Sequence, residues 1–481
     1  MSFDVVVVGG GVSGAGLALV LGRLGRRVAL VEAAGALLPL VRGFVREGLH
    51  FDTGFHYTGG LGPGGILARY FDCLGLSGLS PLPLDPEGFD RLRFLEPAFE
   101  LCLPCGQARI RERLGAAFPA ERGAIEAYLA AIDRAVAASP FLNPGRPLPQ
   151  TLTFEASGPT LAGFLDGLGA GPLLAAVLSL HCLLHGTPPG EILLSDHARV
   201  VAGYHESAHG LAGGGAALAR SFEQALAAQG TSLHLGREAQ AIVLSPAGAV
   251  AGVRLTGGEV LSAPAVAAAI HPRRLLGLVP EGVFRPAYRR RLQNLPSTPS
   301  ASVLFGVLSG DPGLLAGKNL LLSPGIDVEA HFSPRTPPER RALYVTCGLE
   351  ASADGRRAIE VIAPDYPSPA QGEDDKAERL ARLEARFAAA CPELAPRVRF
   401  VDGATPRTFA RLLNDPDGGL YGVRHAAEAP VPLPLTRLPG LFLSGQNVLA
   451  PGVLGAVVSA FVTASLMCGP EPVRRLLEKA Q

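Results

Sequence analysis

The chain has no tryptophan and only two methionines among its 481 residues. Lysine is nearly missing as well. Lys318, Lys376 and Lys479 are the only ones, so arginine carries almost all the positive charge. That is read as compositional bias, not as a functional signal. Net charge is absent too: 43 basic and 43 acidic residues balance to +0. A neutral chain has no basic footprint for nucleic acid and no strong field to steer a charged substrate. Disorder is excluded, because 48% of the residues are hydrophobic and the chain can bury them. Cysteine is sparse and odd in number, at seven. A disulfide framework is therefore not expected, and a reducing compartment is favoured. Cys102 and Cys105 form a CxxC, but no second CxxC or nearby histidine completes a zinc set. The run from Phe99 to Gly106 reads as a strand entering a turn. No basic-then-apolar leader opens the chain, so no secretory signal is expected. Residues 441–468 carry no charge, yet glycine, proline and Asn447 interrupt them. They read as strand, loop and buried helix, not as a membrane span.

What is present is glycine in the right places. Phe3 to Val8 is a short valine-rich run typical of a buried parallel strand. Gly9-Gly10-Gly11-Val12-Ser13-Gly14 follows, then a helix over Ala15 to Leu24 ended by Gly25, then a strand over Val28 to Val31 closed by Glu32. This is one βαβ unit. In its GxGxxG, Gly9 permits the tight turn, Gly11 lets backbone approach a pyrophosphate, and Gly14 lets helix pack on strand. The helix N-terminus faces the anion. Glu32 is placed to accept hydrogen bonds from the ribose hydroxyls of an adenosine. The motif alone does not choose between FAD and NAD.

Later segments make the choice. After Gly210 come a glycine-rich turn, a helix over Ala216 to Gln229, a strand over Ser232 to Leu235 and a hairpin over Ala239 to Leu261. The tail repeats strand, glycine loop and helix, in Gly440 to Asn447 and then Gly452-Val453-Leu454-Gly455. A cofactor held by both ends of a chain points to FAD. A helix N-terminus at Gly452 places amides where negative charge develops on a reduced flavin. Between these segments, Gln107 to Ala138 is charged and amphipathic, and Ser157 to Leu194 is strongly apolar, with a buried helix over Leu173 to Leu184. Asp374 to Ala390 reads as a charged helix, and Pro364 to Asp375 as a surface loop. His181 and His185 are spaced for one helix face, but no third ligand accompanies them, so they are taken as core or pocket-lining residues and no metal is expected.

These segments together resemble the phytoene desaturase, carotenoid isomerase and retinol saturase superfamily of flavoproteins. Phe51-Asp52-Thr53-Gly54-Phe55-His56-Tyr57 is similar to the FDTG-x-HY stretch of retinol saturases, and Ser444-Gly445-Gln446 to their TGQD segment. Gly213-Gly214-Gly215 and Glu238-Ala239 resemble the family's glycine turn and adenine-contacting strand. Thr405-Pro406-Arg407-Thr408 with Tyr421-Gly422 resembles its TP-x-T…YG element. Leu38 and Pro39 stand where the family has a GGR or GGC turn, and Arg42 is the expected substitute cation near the diphosphate. Asn447 stands where an aspartate is common.

The resemblance implies a two-lobed α/β, Rossmann-type, amine-oxidase-like fold. Residues 1–75, 205–290 and 416–481 would form the FAD lobe. Residues 76–204 and 291–415 would form a substrate lobe of mixed sheet and helices. FAD would be non-covalent and held by Gly9, Gly11, Val12, Ser13, Gly14, Glu32, Arg42, Gly54, Ala239, Gly445, Gln446, Asn447, Gly452, Leu454 and Gly455. His56 and Tyr57 would lie beside the flavin ring, either handling a proton or lining the pocket, with Tyr421 and His425 as a second pair. The reaction expected is desaturation, saturation or isomerisation of an apolar polyene or isoprenoid, by hydride transfer at flavin N5. The apolar stretch 157–194 would build a hydrophobic tunnel. No second dinucleotide motif is seen, so an external electron donor or acceptor is expected. The location expected is cytoplasmic, with peripheral contact to the inner membrane face. The alternatives are an amine-oxidase-like flavoenzyme and a prenyl-binding carrier on the same fold, as in Rab escort proteins.

Overall fold

The computed structural model describes residues 2–143, 158–367, 375–415, 417–429 and 431–479. The valine run forms the strand Val5–Val8, and all four side chains are buried. Burying a valine contributes roughly 1.5–3 kcal/mol, and a strand covered on both faces needs no polar alternation. It is the middle strand of a five-stranded parallel sheet, in the order Ser232–Leu235, Val28–Glu32, Val5–Val8, Val266–Ala268, Leu441–Leu443. Three widely separated stretches of chain thus share one sheet. The helices Val12–Arg23, Gly214–Ala228 and Gly452–Cys468 pack together on it. The last of these is buried for most of its length. Among the described residues no helix is long and apolar enough to cross a membrane.

A second sheet has seven strands, in the order Val398–Ala404, Ser300–Ser309, Arg356–Asp365, Leu343–Cys347, Asn319–Gly325, Asp90–Glu96, Phe99–Leu103. It is mixed: Asn319–Gly325 pairs parallel with Asp90–Glu96, and the other neighbours are antiparallel. The helix Asp375–Ala390 packs Leu383 and Phe387 against one side of it. The helices Gln107–Ala117, Arg122–Ala138 and Leu194–Glu206 pack around its other end, with the apolar segment beside them.

Several boundaries differ from the sequence reading. The hairpin at 239–261 is a three-stranded meander. The strand Arg356–Asp365 extends through Pro364 and Asp365, which the sequence reading gave to a loop; residues 368–374 of that loop lie outside the described residues. The helix expected over Leu173 to Leu184 is an α-helix only from Pro172 to Ser179. Leu180–Leu184 is wound as a 3-10 turn. Apolar composition marked the segment as buried but carried no information about that change of winding.

Candidate active site and cofactor cleft

The glycine loop is shaped by close approach. A Cβ on Gly14 would stand 1.8 Å from the Gly9 carbonyl oxygen. Gly9 has φ +106° and a Cβ there would meet Ala269 O at 2.5 Å. Gly11 is different: no atom lies within 4 Å of where its Cβ would stand. The helix that starts at Val12 has no side-chain cap, so its first-turn amides, including those of Val12, Ser13 and Gly14, await an acceptor. An open space beside uncapped amides fits a diphosphate. Glu32, at the end of its strand, takes Gly10 N–H at 2.6 Å and Ala34 N–H at 2.8 Å. Each carboxylate oxygen keeps a lone pair for a ribose hydroxyl. Ala239 is the buried first residue of its strand. Arg42 points elsewhere: its guanidinium donates to Glu223 and to the Leu37 carbonyl.

The tail closes on the same loop. Ser13 and Ser444 share a hydrogen bond of 2.8 Å, across 431 residues of sequence. Gly445, at φ +117°, donates its N–H to Ser459 at 2.8 Å. The Gln446 carbonyl accepts from His425 Nε2 at 2.7 Å. Asn447 turns its Oδ1 to the Val423 N–H at 2.8 Å, tying the tail to the Tyr421-Gly422 turn. The helix after Pro451 is again uncapped by any side chain, so the first-turn amides of Gly452 and Leu454 have no side-chain acceptor, while a Cβ on Gly455 would stand 2.2 Å from the Ala450 carbonyl oxygen. Tyr421 is held through its backbone N–H on Thr298, and burial pushes its hydroxyl up to about 12.

The FDTGFHY stretch bridges the two sheets. Asp52 accepts Gly215 N–H at 2.7 Å and also meets His50 at 3.1 Å. It thereby caps the helix Gly214–Ala228, which has no cap of its own. Gly54 is exposed, and His56 faces a cavity of about 220 Å³. His56 Nδ1 is buried without a partner, and burial holds the ring below the usual histidine range against the opposing pull of Asp52. Tyr57 points the other way. Its hydroxyl donates to Asp90 at 2.8 Å. Asp90 is fully buried and also accepts from His181 Nε2 at 2.9 Å and Asn319 Nδ2 at 2.9 Å.

Sequence reasoning missed Asp90 and Glu360, although a signal was there. Asp90 shares an inward face with Leu92 and Phe94, so a period-two pattern places an acid in the core. Glu360 sits likewise in the middle of an apolar strand. It is buried, and desolvation, helped by the charge of Asp52, raises its carboxyl well above the usual range.

The two paired histidines also part company. His181 goes to Asp90, while His185 meets His197 from the helix Leu194–Glu206 at 3.1 Å. Cys182 joins them, so a third potential ligand does accompany His185, contrary to the sequence reading: the three donor atoms lie within 4.8 Å of one another. Their hydrogen bonds point in one direction, however. Thr187 N–H donates to His185 Nδ1 at 3.3 Å, which puts the ring proton on Nε2, aimed at His197 Nδ1. His197 Nε2 then donates to Tyr128 at 3.2 Å. Neutral imidazoles satisfy this chain without an ion. Cys102 and Cys105 are free thiols, the first in a strand and the second just beyond it.

Comparison with known proteins fits this geometry. A family model described as flavin containing amine oxidoreductase matches residues 13–353. The all-trans-retinol 13,14-reductase of Rattus norvegicus is 25% identical, over 96% of this chain and 85% of that protein. Among solved structures, an oxidoreductase from Methanosarcina mazei superposes with a TM-score of 0.68 at 16% identity, covering 96% of this chain and 99% of its own. Cyclohexylamine oxidase from Brevibacterium oxydans superposes with a TM-score of 0.62 at 16% identity, covering 100% and 99%. At such identities the superpositions speak for the fold. The family match runs from the start of the glycine-loop helix to the rim of the His56 cavity, well over half the chain. On that extent the chain belongs to the flavin-containing amine oxidoreductase family and is an FAD-dependent oxidoreductase.

Proposed function

We propose that this oxidoreductase acts on a carbon–carbon double bond of an apolar polyene or isoprenoid. The observation that carries this reading is the similarity, over 96% of the chain, to an all-trans-retinol 13,14-reductase. The cavity at His56 supports it, since Leu49, Leu82, Leu84, Leu211 and Leu349 supply much of its wall. The leucines of 158–184 have a different place. They pack into the core behind Tyr57 and contribute nothing to that wall among the described residues.

When bound, FAD supplies two-electron exchange at N5 with a substrate carbon. The residues proposed to hold it are those of the glycine loop, Glu32, Gly54, Ala239 and the 445–455 segment. Arg42 belongs to this proposal only if it leaves Glu223. His56 is proposed to move the proton that accompanies the transfer. Tyr57, locked on Asp90, would hold the His56 segment in place, and Tyr421 would close the opposite side. Electrons enter or leave through an external donor or acceptor, and the substrate is drawn from a membrane surface by peripheral contact on the cytoplasmic side. With an oxidoreductase established, the carrier alternative is set aside. Amine oxidation is the second reading, because Asp52 and Glu350 place carboxylates beside the same cavity.

The test is anaerobic incubation of the flavin-loaded protein with polyenes, isoprenoids and amines, read by flavin absorbance and product mass. The expected result is a change of flavin redox state with a polyene and a product differing by one H2. Turnover of an amine to an aldehyde, with every polyene inert, would replace this reading with the second.

A further inference from the structure

The His56 cavity is lined by leucines and by polar groups, some of them buried. Asn319, Thr346 and Glu360 are 3%, 6% and 4% exposed, and all three face it. Their hydrogen-bond directions are fixed from behind. Asp90 Oδ1 accepts from Asn319 Nδ2, since the amide oxygen would be repelled there. The Asn319 oxygen is therefore turned to Thr346, whose hydroxyl donates to it at 2.8 Å. A threonine hydroxyl has one proton. With that proton committed, Thr346 offers the cavity lone pairs only. Glu360 offers the reverse. Its burial and the neighbouring Asp52 charge push the carboxyl well above the usual range, toward the neutral form, whose O–H can donate. Beside them His56 Nδ1 is buried without a partner.

We propose that this cavity is the end-group pocket of the substrate site and takes the hydroxyl of a polyene or isoprenoid alcohol, with Thr346 accepting and Glu360 donating. The assignment rests on the polyene reading above and narrows it. A hydroxyl both gives and accepts a hydrogen bond, which is what the two facing groups require. A hydrocarbon end would leave them unpaired in a buried site. A carboxylate end would meet the acids Asp52 and Glu350, and the lysine in the lining, Lys318, is already paired with Asp85 at 2.9 Å. An ammonium end has no lone pair to accept from Glu360 and would turn instead to those same acids, each of which holds one backbone N–H of the glycine turn: Gly213 N–H donates to Glu350 at 3.0 Å and Gly215 N–H to Asp52.

The experiment measures binding to the flavin-loaded protein by perturbation of flavin absorbance. The probes are all-trans-retinol, all-trans-retinoic acid, all-trans-retinylamine and the hydrocarbon with the same polyene and no end group. The alcohol should bind tightest. Thr346→Val, which keeps the shape and removes the acceptor, should weaken the alcohol roughly five- to tenfold and leave the hydrocarbon unchanged. If that variant folds poorly, Glu360→Gln serves instead. It keeps an N–H donor and should preserve the preference, while Glu360→Leu should erase it. Equal affinity for alcohol and hydrocarbon overturns the pocket assignment and leaves the polyene reading standing. So does a Thr346→Val loss shared by both. Tighter binding of the acid or the amine overturns the assignment as well. If no probe binds whatever its end group, the polyene reading falls and the assignment with it.

Discussion

Gly11 and Gly14 stand three residues apart and make opposite demands. At Gly14 a side chain has no room in the protein itself, because its Cβ would overlap the Gly9 carbonyl. At Gly11 a side chain meets no protein atom. Gly11→Val should therefore fold with a melting temperature close to the parent and lose FAD, because its methyls fill the space proposed for the diphosphate. Gly14→Val should fail to fold. Flavin retained at full stoichiometry through dialysis of Gly11→Val would mean that the diphosphate lies elsewhere. Glu32→Ala removes an acceptor from Gly10 and Ala34 as well as from the ribose it is proposed to hold. Hydrogen bonds to a charged group are worth roughly 1.5–3 kcal/mol each, so titration of apoprotein should show FAD weakened by about tenfold or more. His56→Ala should keep FAD and slow a half-reaction by about 10²–10⁴-fold. Parental half-reaction rates in a flavin-replete variant would remove His56 from the chemistry.

The glycine turn, the helix it opens and the strand that ends on Glu32 were legible at this scale, because glycine spacing and a strand-ending acid are local signals. The hidden residues depended on partners far away in sequence. Asp90 is explained by Tyr57, His181 and Asn319, and His197 by His185 and Tyr128, and no local pattern announces such meetings.

Among elements, the helix Gly214–Ala228 shows what local reading recovers and what it leaves out. Its existence follows from its alanine-rich pattern. Its start at Gly214, two residues before the expected Ala216, follows from a cap supplied by Asp52, 163 residues away from the Gly215 amide it accepts. The acid of the FDTG stretch thus has a structural task. Asp52→Ala should cost about 0.5–2 kcal/mol in urea unfolding, the usual range for a lost N-cap. Asp52→Asn, which retains an oxygen acceptor, should recover most of that. If Asp52→Ala unfolds like the parent, the cap contributes nothing and the acid answers only to the cavity. The 3-10 turn Leu180–Leu184 is the opposite case. Its leucines say only that it is buried, and the winding is set by where Asp90 and His197 draw His181 and His185.

Across the whole molecule the most consequential feature is how many histidines are buried neutral. Burial, with smaller contributions from neighbouring histidines, lowers His185 and His205 to about 3 and His197 well below its ordinary value of 6.5. His331 is lowered to about 4. In the unfolded chain these rings take up protons as the pH falls through about 6.5. In the folded protein they do not, because protonated His185 would set a second N–H against that of Thr187 and leave an unpaired charge in the core. The unfolded state therefore binds more protons below pH 6.5. Stability is complete above that value and falls as the pH drops toward the folded values, by up to about 1.4 kcal/mol per pH unit for each ring. Glu360 works in the opposite sense, since its raised folded value means stability present at low pH and lost as the pH rises. Below 6.5 the four histidines outnumber it together with Glu206 and Glu329, whose carboxyls burial also raises. Urea unfolding of the flavin-loaded protein should thus show a steep loss of stability between pH 7 and 5.5. His185→Gln should unfold more easily at pH 7 but with a shallower pH slope, by about one proton. A parent protein equally stable at pH 7 and 5.5 would mean that these rings titrate in the folded state, and that the Thr187–His185–His197–Tyr128 chain does not hold them neutral.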